Sequence, residues 1–312
     1  MMRYCPITYD VILDDALYSA RGLHQLSPKL STLMPLPYSA QEQRNEAMSR
    51  ASKLSIQGVQ SKLSAKLDIA KQAFVFVDSG GDYILKPESD KWFELPANEA
   101  ISMTLAKQFG IDVPVHGLVF TKNDEITYFI KRFDRNGNKK NPVEDFAQLS
   151  NLNRDTKYES SIEKVIKIIY DFATFPDLEC VALFKRVLFN FLIGNEDMHL
   201  KNYSLICQKG AWKLAPAYDF LNTTIAMSYP IEESALSING RKNKLRRDDF
   251  MDYLAIKRLK FNQKIIDGIL AELNMLHPVF IDLIGRSYLT PLMKEAYLRV
   301  LNDRYKRLFS VE

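Results

Sequence analysis

The stretch that decides the reading is Asn195-Glu196-Asp197-Met198-His199-Leu200-Lys201-Asn202, followed closely by Tyr218-Asp219-Phe220. Four residues separate Asp197 from Asn202. Between Asn202 and Asp219 the pattern is strand, turn, strand: Tyr203 to Cys207, then Gln208-Lys209-Gly210, then Ala211 to Leu214. Upstream lies Leu178 to Gly194, apolar nearly all round, which is how a buried helix reads. A buried helix, a polar loop and a hairpin thus deliver two carboxylates and an amide in a fixed order. Taken alone, an Asp and an Asn at this spacing also arise by chance, and Asp219 then reads as a turn residue.

The order has a chemical meaning. Phosphoryl transfer needs a carboxylate to orient the acceptor hydroxyl and oxygen ligands to hold magnesium against the phosphates. Protein kinases meet that need with Asp, four residues, Asn, and a second Asp beyond a short hairpin. Upstream company strengthens the pattern. Tyr83-Ile84-Leu85-Lys86 ends a strand in a lysine, and Glu99 comes thirteen residues later in the next helix. A strand lysine paired with a helix glutamate is how kinases fix the α- and β-phosphates. A lysine at a strand end also reads as an ordinary solvated charge. Ser55-Ile56-Gln57-Gly58-Val59-Gln60-Ser61-Lys62 is a polar loop whose backbone N–H groups suit phosphate, though its one glycine matches no standard phosphate-loop pattern.

Further out, the chain divides by texture. The first fifty residues, rich in Ser, Pro and Leu, show one helix from about Ala40 to Ser52. Ser64 to Ile69, Ala73 to Val77 and Tyr83 to Lys86 read as strands, the last two as a hairpin about Gly80-Gly81. A helix from Ala97 to Phe109, stopped by Gly110, precedes strands at Val113 to Phe120 and Ile126 to Arg132. Past Arg135 the period becomes helical, with Ile162, Val165, Ile166, Ile169 and Phe172 on one face. From Arg247 on, helices are expected with breaks near Pro278 and Pro291. The expectation is an α+β, two-lobed protein-kinase-like fold. Residues 1–135 form its sheet-rich N-terminal lobe and 136–312 its helical C-terminal lobe, with the named groups meeting around a metal-bound triphosphate.

Composition narrows the rest. The 312 residues are 46% hydrophobic and 26% charged, ordinary globular values that exclude a disordered or fibrous chain. Lys plus Arg is 42 against 38 Asp plus Glu, so a net charge of +4 neither demands nor excludes nucleic acid. Cys5, Cys180 and Cys207 have no zinc spacing and fit a reducing compartment. No signal-peptide core opens the chain, and Val187 to Gly194 is too short to cross a bilayer, so a cytoplasmic location without membrane contact is expected. The basic run Arg241 to Arg247 reads as a loop before a helix capped by Asp248 and Asp249, so direct nucleic-acid binding is not expected.

Eight segments together carry a resemblance: SIQGVQSKLSA (55–65), YILKP (83–87), NEAISMTLAKQFGIDVP (98–114), IKRFDR (130–135), EDFAQ (144–148), KYES (157–160), NFLIGNEDMHLKNYSL (190–205) and LAPAYDF (214–220). In this order they resemble the HipA family of serine/threonine kinase toxins. The chain is shorter than full-length HipA and reads as lacking its extra N-terminal subdomain. In this it is similar to the compact HipT branch of HipB–HipS–HipT systems. The resemblance implies ATP and Mg2+ as cofactors. It implies Asp197 as catalytic base, Asn202 and Asp219 as magnesium ligands, and Lys86 on the phosphates with Glu99 as its partner. It puts Gly58, Lys62 and His199 near the phosphates, Lys131 and Phe133 at the hinge beside adenine, and Gln148 and Tyr218 in the nucleotide pocket. Ser55 matches the autophosphorylated serine. Two departures stand out: Lys131 occupies a hinge position held by glutamate in HipA, and Gln57 replaces the second phosphoserine common in the compact branch.

The resemblance further implies a protein substrate of translation, an aminoacyl-tRNA synthetase and in the HipT branch tryptophanyl-tRNA synthetase, with HipB-like DNA-binding and HipS-like small partners. Two other readings remain open: a catalytically silent binding module in a repressor complex, and a small-molecule kinase sharing the same Asp and Asn logic.

Overall fold

The computed structural model describes residues 3–13, 15–50, 60–137, 139–151, 158–227 and 232–310. Ser55 and Gly58 lie outside the described residues. Two compact units partition the chain: 1–104, 114–132 and 283–290 form the first, and 105–113, 133–282 and 291–312 the second.

The first unit opens with β1 (Arg3–Tyr4), β2 (Val11–Ile12), α1 (Ala20–Leu26) and α2 (Ala40–Arg50). Its sheet is built from β3 (Leu63–Asp68), β4 (Ala73–Phe76) and β5 (Tyr83–Lys86), then, after α3 (Leu95–Gln108), from β6 (His116–Phe120) and β7 (Ile126–Lys131). The order is β4-β3-β5-β7-β6, antiparallel throughout. This corrects the expected hairpin, because β4 and β5 do not pair. Both flank β3, with Leu67 opposite Phe74 on one side and Leu63 opposite Leu85 on the other. The reason sits at Gly81. A Cβ there would lie 2.1 Å from Ser64 Oγ and 2.9 Å from the Ala65 backbone nitrogen, so only glycine lets the chain cross so close to β3. Gly81 therefore serves a crossing, while Gly80 takes a left-handed turn position at φ 70°.

One face of this sheet buries Leu63, Ala65, Phe74, Tyr83, Leu85 and Phe129 against Leu23, Leu26, Leu30, Leu33 and Leu36. Those leucines belong to the segment that had no clear period in sequence. They pack from α1 and from irregular chain beyond it. Phe74 meets Tyr83 edge-on at 5.0 Å and Phe129 at 5.1 Å, an aromatic cluster that fixes the register of the central strands.

The second unit begins with the small hairpin β8 (Arg135–Asn136) and β9 (Lys139–Lys140), then β10 (Val143–Asp145), α4 (Phe146–Leu149), α5 (Ile162–Phe172) and α6 (Pro176–Ile193). A 3-10 turn at Leu200–Asn202 leads into β11 (Ser204–Gln208) and β12 (Ala211–Leu214), which make a three-stranded sheet with β10. Lys209 and Gly210 both have positive φ, 51° and 81°, as a two-residue primed turn requires. After α7 (Thr223–Ala226) come a π-helical segment (Asp249–Arg258), α8 (Gln263–Arg286) and α9 (Pro291–Phe309).

Two expectations at this end are corrected. Pro278 lies inside α8 and does not break it. A proline deletes one helix N–H, and buried Leu270, Leu273, Phe280 and Ile284 on both sides of it keep the helix continuous. Pro291 instead opens α9, the position where its missing N–H costs nothing. Asp248 makes no side-chain cap. Asp249, the first residue of the segment, instead reaches back and accepts from the Arg246 N–H ahead of it at 2.9 Å. The basic run is tied down locally: Arg241 pairs with Asp249 at 3.8 Å and Lys242 with Glu232 at 3.3 Å, while Leu245 is fully buried. By length and composition α8 alone among the described helices suits a membrane span; Glu272 within it pairs with Lys185 at 2.9 Å.

Candidate active site

The loop carrying Asp197 starts where α6 stops. Gly194 takes the left-handed conformation at φ 73°, and a Cβ there would lie within 2.9 Å of Thr224 Oγ1, Val300 Cγ1 and Asn222 Oδ1. No other residue fits that space, so the helix ends at one defined position. Asn195 then organises the acidic loop. Buried at 2% exposure, it donates from Nδ2 to Asn190 Oδ1 at 2.9 Å and to the Asp219 carbonyl at 3.4 Å. Its Oδ1 accepts the Asp197 backbone N–H at 3.3 Å. One amide therefore ties the Asp197 loop to the Asp219 loop.

Asn202 closes the turn from the other side. Its Nδ2 donates to the Asp197 carbonyl at 3.0 Å, and the His199 N–H donates to the same oxygen at 2.9 Å. With the nitrogen engaged, the side-chain oxygen is the atom of Asn202 chemically suited to a cation. Asp219 holds a left-handed backbone at φ 57°, a strained conformation that Asp and Asn tolerate best and that clusters at functional sites. The donor set of a carboxylate and an amide oxygen fits magnesium, which keeps waters and phosphate oxygens as its remaining ligands. Among the described residues no group of three His, Cys, Asp or Glu side chains forms a self-sufficient metal cage.

Glu196, next to Asp197, is clamped from α9. Its Oε1 accepts from Arg304 Nη2 at 2.9 Å and from Thr224 Oγ1 at 2.8 Å, while its N–H donates to Thr223 Oγ1 at 2.7 Å. Burial pushes the Glu196 carboxyl above its ordinary value, against the opposing pull of Thr224 and Arg304. Below the loop, Arg186 is buried and donates from Nη2 to the Ala215 carbonyl at 2.7 Å, supporting the strand exit that leads to Asp219.

Around these loops the other predicted residues divide. Phe133 and Tyr218 stack at 5.5 Å with their planes 25° apart. The Tyr218 hydroxyl donates to the Lys201 carbonyl at 3.0 Å and shares a hydrogen bond with Ser204 at 2.5 Å; burial raises its pKa. His199 is buried in the turn, edge-on to Tyr158 at 5.0 Å. Gln148 has a structural job beside the nucleotide-pocket role expected of it. It completes a capping box on α4, accepting from the Asp145 N–H at 2.9 Å while Asp145 Oδ1 accepts from its own N–H at 2.8 Å. The EDFAQ segment is thus legible as a helix start.

In the first unit, Lys86 and Glu99 form a buried pair. Lys86 Nζ lies 2.7 Å and 2.9 Å from the two Glu99 oxygens, at 6% and 2% exposure, with the Tyr128 ring 5.7 Å from the ammonium. The solvated strand-end reading of Lys86 is therefore overturned. Lys62 is half-buried just before β3. Lys131 ends β7 with an exposed side chain, and its N–H already donates to the Val115 carbonyl at 2.8 Å.

Asn195, Arg304 and Tyr158 are the residues that sequence reasoning missed. Asn195 carried a signal, an amide set between the helix-ending glycine and the acidic pair. Arg304 carried none, since its partner lies over a hundred residues away.

Comparison with known proteins bears on the family and the fold. Residues 54–277 match the family model described as HipA-like C-terminal domain. A candidate kinase of Haemophilus influenzae is 29% identical over 346 aligned residues, which cover 97% of this chain and 99% of that protein. The serine/threonine-protein kinase toxin HipA of Shewanella oneidensis is 28% identical over 197 residues, covering 54% of this chain but 43% of that protein. Among solved structures, HipA from the Shewanella oneidensis complex of HipA, HipB and operator DNA superposes with a TM-score of 0.70 at 21% identity, covering 90% of this chain and 76% of that one. The Helicobacter pylori proinflammatory kinase CtkA gives 0.54 at 16% identity, covering 83% of this chain and 96% of that one. Both likenesses establish a mixed α+β fold of the kinase type. With its family model spanning most of its length, the chain belongs to the HipA-like C-terminal domain family.

Proposed function

We propose that this protein is an ATP- and magnesium-dependent serine/threonine protein kinase acting as the toxin of a HipA- or HipT-type toxin–antitoxin system. The observation that carries the reading is the Asn195 bridge, which couples the loop of a candidate base to the loop of a candidate metal ligand.

In this reading Asp197 orients the acceptor hydroxyl and takes its proton as the oxygen attacks the γ-phosphorus, with ADP leaving. Lys86, already aimed by Glu99, meets the α- and β-phosphates as a point charge. Asn202 and Asp219 would hold magnesium, which when bound neutralises developing phosphate charge. The Phe133–Tyr218 pair offers an aromatic wall for adenine, and Lys62 and His199 add donors to the phosphates. By the same resemblance Gly58 would serve the phosphates and Ser55 would be the autophosphorylated residue. The substrate is a protein of translation, an aminoacyl-tRNA synthetase and by resemblance the tryptophanyl enzyme, reached in the cytoplasm. The HipB of the solved Shewanella oneidensis complex supports a HipB-like DNA-binding antitoxin as partner, with a HipS-like small protein as the further expectation of the compact branch.

Phosphoproteomics after induction of wild type and of Asp197→Ala tests the proposal. A serine or threonine on one synthetase, phosphorylated with wild type alone, is expected. No difference between the two strains overturns it and favours a silent binding module; label on a small molecule favours a small-molecule kinase.

A further inference from the structure

The backbone of Asp197 is held at both ends, its N–H by Asn195 and its carbonyl by Asn202 and His199. Those bonds leave the carboxylate free to turn about χ2, a torsion with a broad profile. A base that must meet one hydroxyl in one direction needs that rotation fixed. The Tyr158 hydroxyl donates to Asp197 Oδ1.

Tyr158 is itself placed by the same loop. Its ring stands edge-on to His199 at 5.0 Å and 82°, and three residues later Ser161 caps α5 by accepting the Lys164 N–H. Ile162 donates to the Ser237 carbonyl at 3.0 Å, so the segment is anchored just beyond the tyrosine. Burial and the Asp197 contact both push the phenol upward in pKa. The hydroxyl thus keeps its proton, and remains a donor, throughout the range in which a kinase works.

The geometry points to Tyr158 as a positioning residue for Asp197, holding one carboxylate oxygen so that the other is presented to the acceptor hydroxyl. The inference rests on the kinase reading above and deepens it. Tyr158 touches neither phosphate nor acceptor in this role; it acts through the aspartate. Tyr158 as a whole is 38% exposed.

The test uses the full chain with radiolabelled ATP, magnesium and cell-extract protein as acceptor, alongside release of labelled phosphate to water. Tyr158→Phe keeps the ring against His199 and removes only the hydroxyl. Transfer is expected to fall about 10- to 100-fold, the scale of a displaced catalytic group. The ATP dissociation constant should stay within about twofold, since uniform binding is untouched. Added to Asp197→Ala, the same change should cost nothing further, because its target is gone. A Tyr158→Phe protein as fast as wild type or faster overturns the inference and makes the phenol an obstruction. An additive loss in the Asp197→Ala background also overturns it, showing a purely structural role. Wild type that transfers no label to protein or water removes the kinase reading, and the inference falls with it.

Discussion

Arg304 on α9 donates from Nη2 to Glu196 Oε1 at 2.9 Å, and both side chains are almost wholly buried, at 7% and 11% exposure. The same guanidinium also donates to the Phe191 carbonyl at 3.1 Å, at the end of the helix that launches the Asp197 loop. Arg304→Met should therefore destabilise by about 3–5 kcal/mol, because it strands a buried carboxylate and removes backbone bonds. Pairing it with Glu196→Gln should recover part of that loss in a denaturant melt. No recovery in the double variant would show that Arg304 acts through the Phe191 and Glu233 carbonyls instead.

Lys86 and Glu99 separate stability from function. Either Lys86→Met or Glu99→Gln breaks a buried pair and should lower stability by about 3 kcal/mol or more. Lys86→Met with Glu99→Leu replaces both charges by apolar groups and should melt near wild type, yet bind ATP at least tenfold more weakly in a titration. Wild-type ATP affinity in that double variant would remove Lys86 from the nucleotide site.

The range of each interaction decides how much of the molecule was legible in its sequence. The α5 period, the α6 stop at Gly194 and the β11–β12 hairpin are local patterns, and the structure has them where the sequence put them. The spacing of Lys86 and Glu99 was readable too, because strand and helix periods fix where each side chain points. Gly80-Gly81 misled, since a hairpin turn and a crossing over β3 use the same residue type. Pro278 misled because local propensity for a break lost to burial on both sides. Arg304 and the leucines at 23 to 36 were invisible, their partners being set by tertiary packing alone.

Asp219→Asn tests the metal site without disturbing the backbone. Asn tolerates φ near 57° as well as Asp does, so the loop should keep its shape and the protein should melt within about 1 kcal/mol of wild type. The lost charge should abolish the strengthening of ATP binding by magnesium, measured by titration with and without the metal. Asn202→Ala should act likewise while also removing one of the two hydrogen bonds to the Asp197 carbonyl. Magnesium-enhanced binding that persists in both would place the ion elsewhere.

Ser55 should become phosphorylated when the purified protein meets ATP and magnesium, and Asp197→Ala should slow that by about 100-fold or more, read by intact mass. A phosphate adds about −1.5 to −2 charge to a loop meant for ATP's own phosphates, and like charges repel. Ser55→Asp should bind ATP more weakly than Ser55→Ala. Equal affinities would sink the proposed off switch.

Acid should loosen the α9 anchor through Glu233. Its two oxygens accept from Arg307 Nη1 and Nη2 at 2.8 Å and 2.9 Å. Burial alone would raise the Glu233 pKa, but Arg307 and the Leu245 N–H outweigh it and hold the carboxyl below its ordinary value. A carboxyl depressed in the folded state binds fewer protons there than in the unfolded chain. Its contribution is thus complete above the unfolded value, about 4.3, and fades as pH falls through the lower folded one. Wild type should exceed Glu233→Gln in thermal midpoint by a constant margin from pH 7 to about 5, and that margin should shrink below about pH 4. A margin unchanged down to about pH 3 would mean that the pair's value lies in the shape and neutral hydrogen bonds of the carboxyl group, not in its charge.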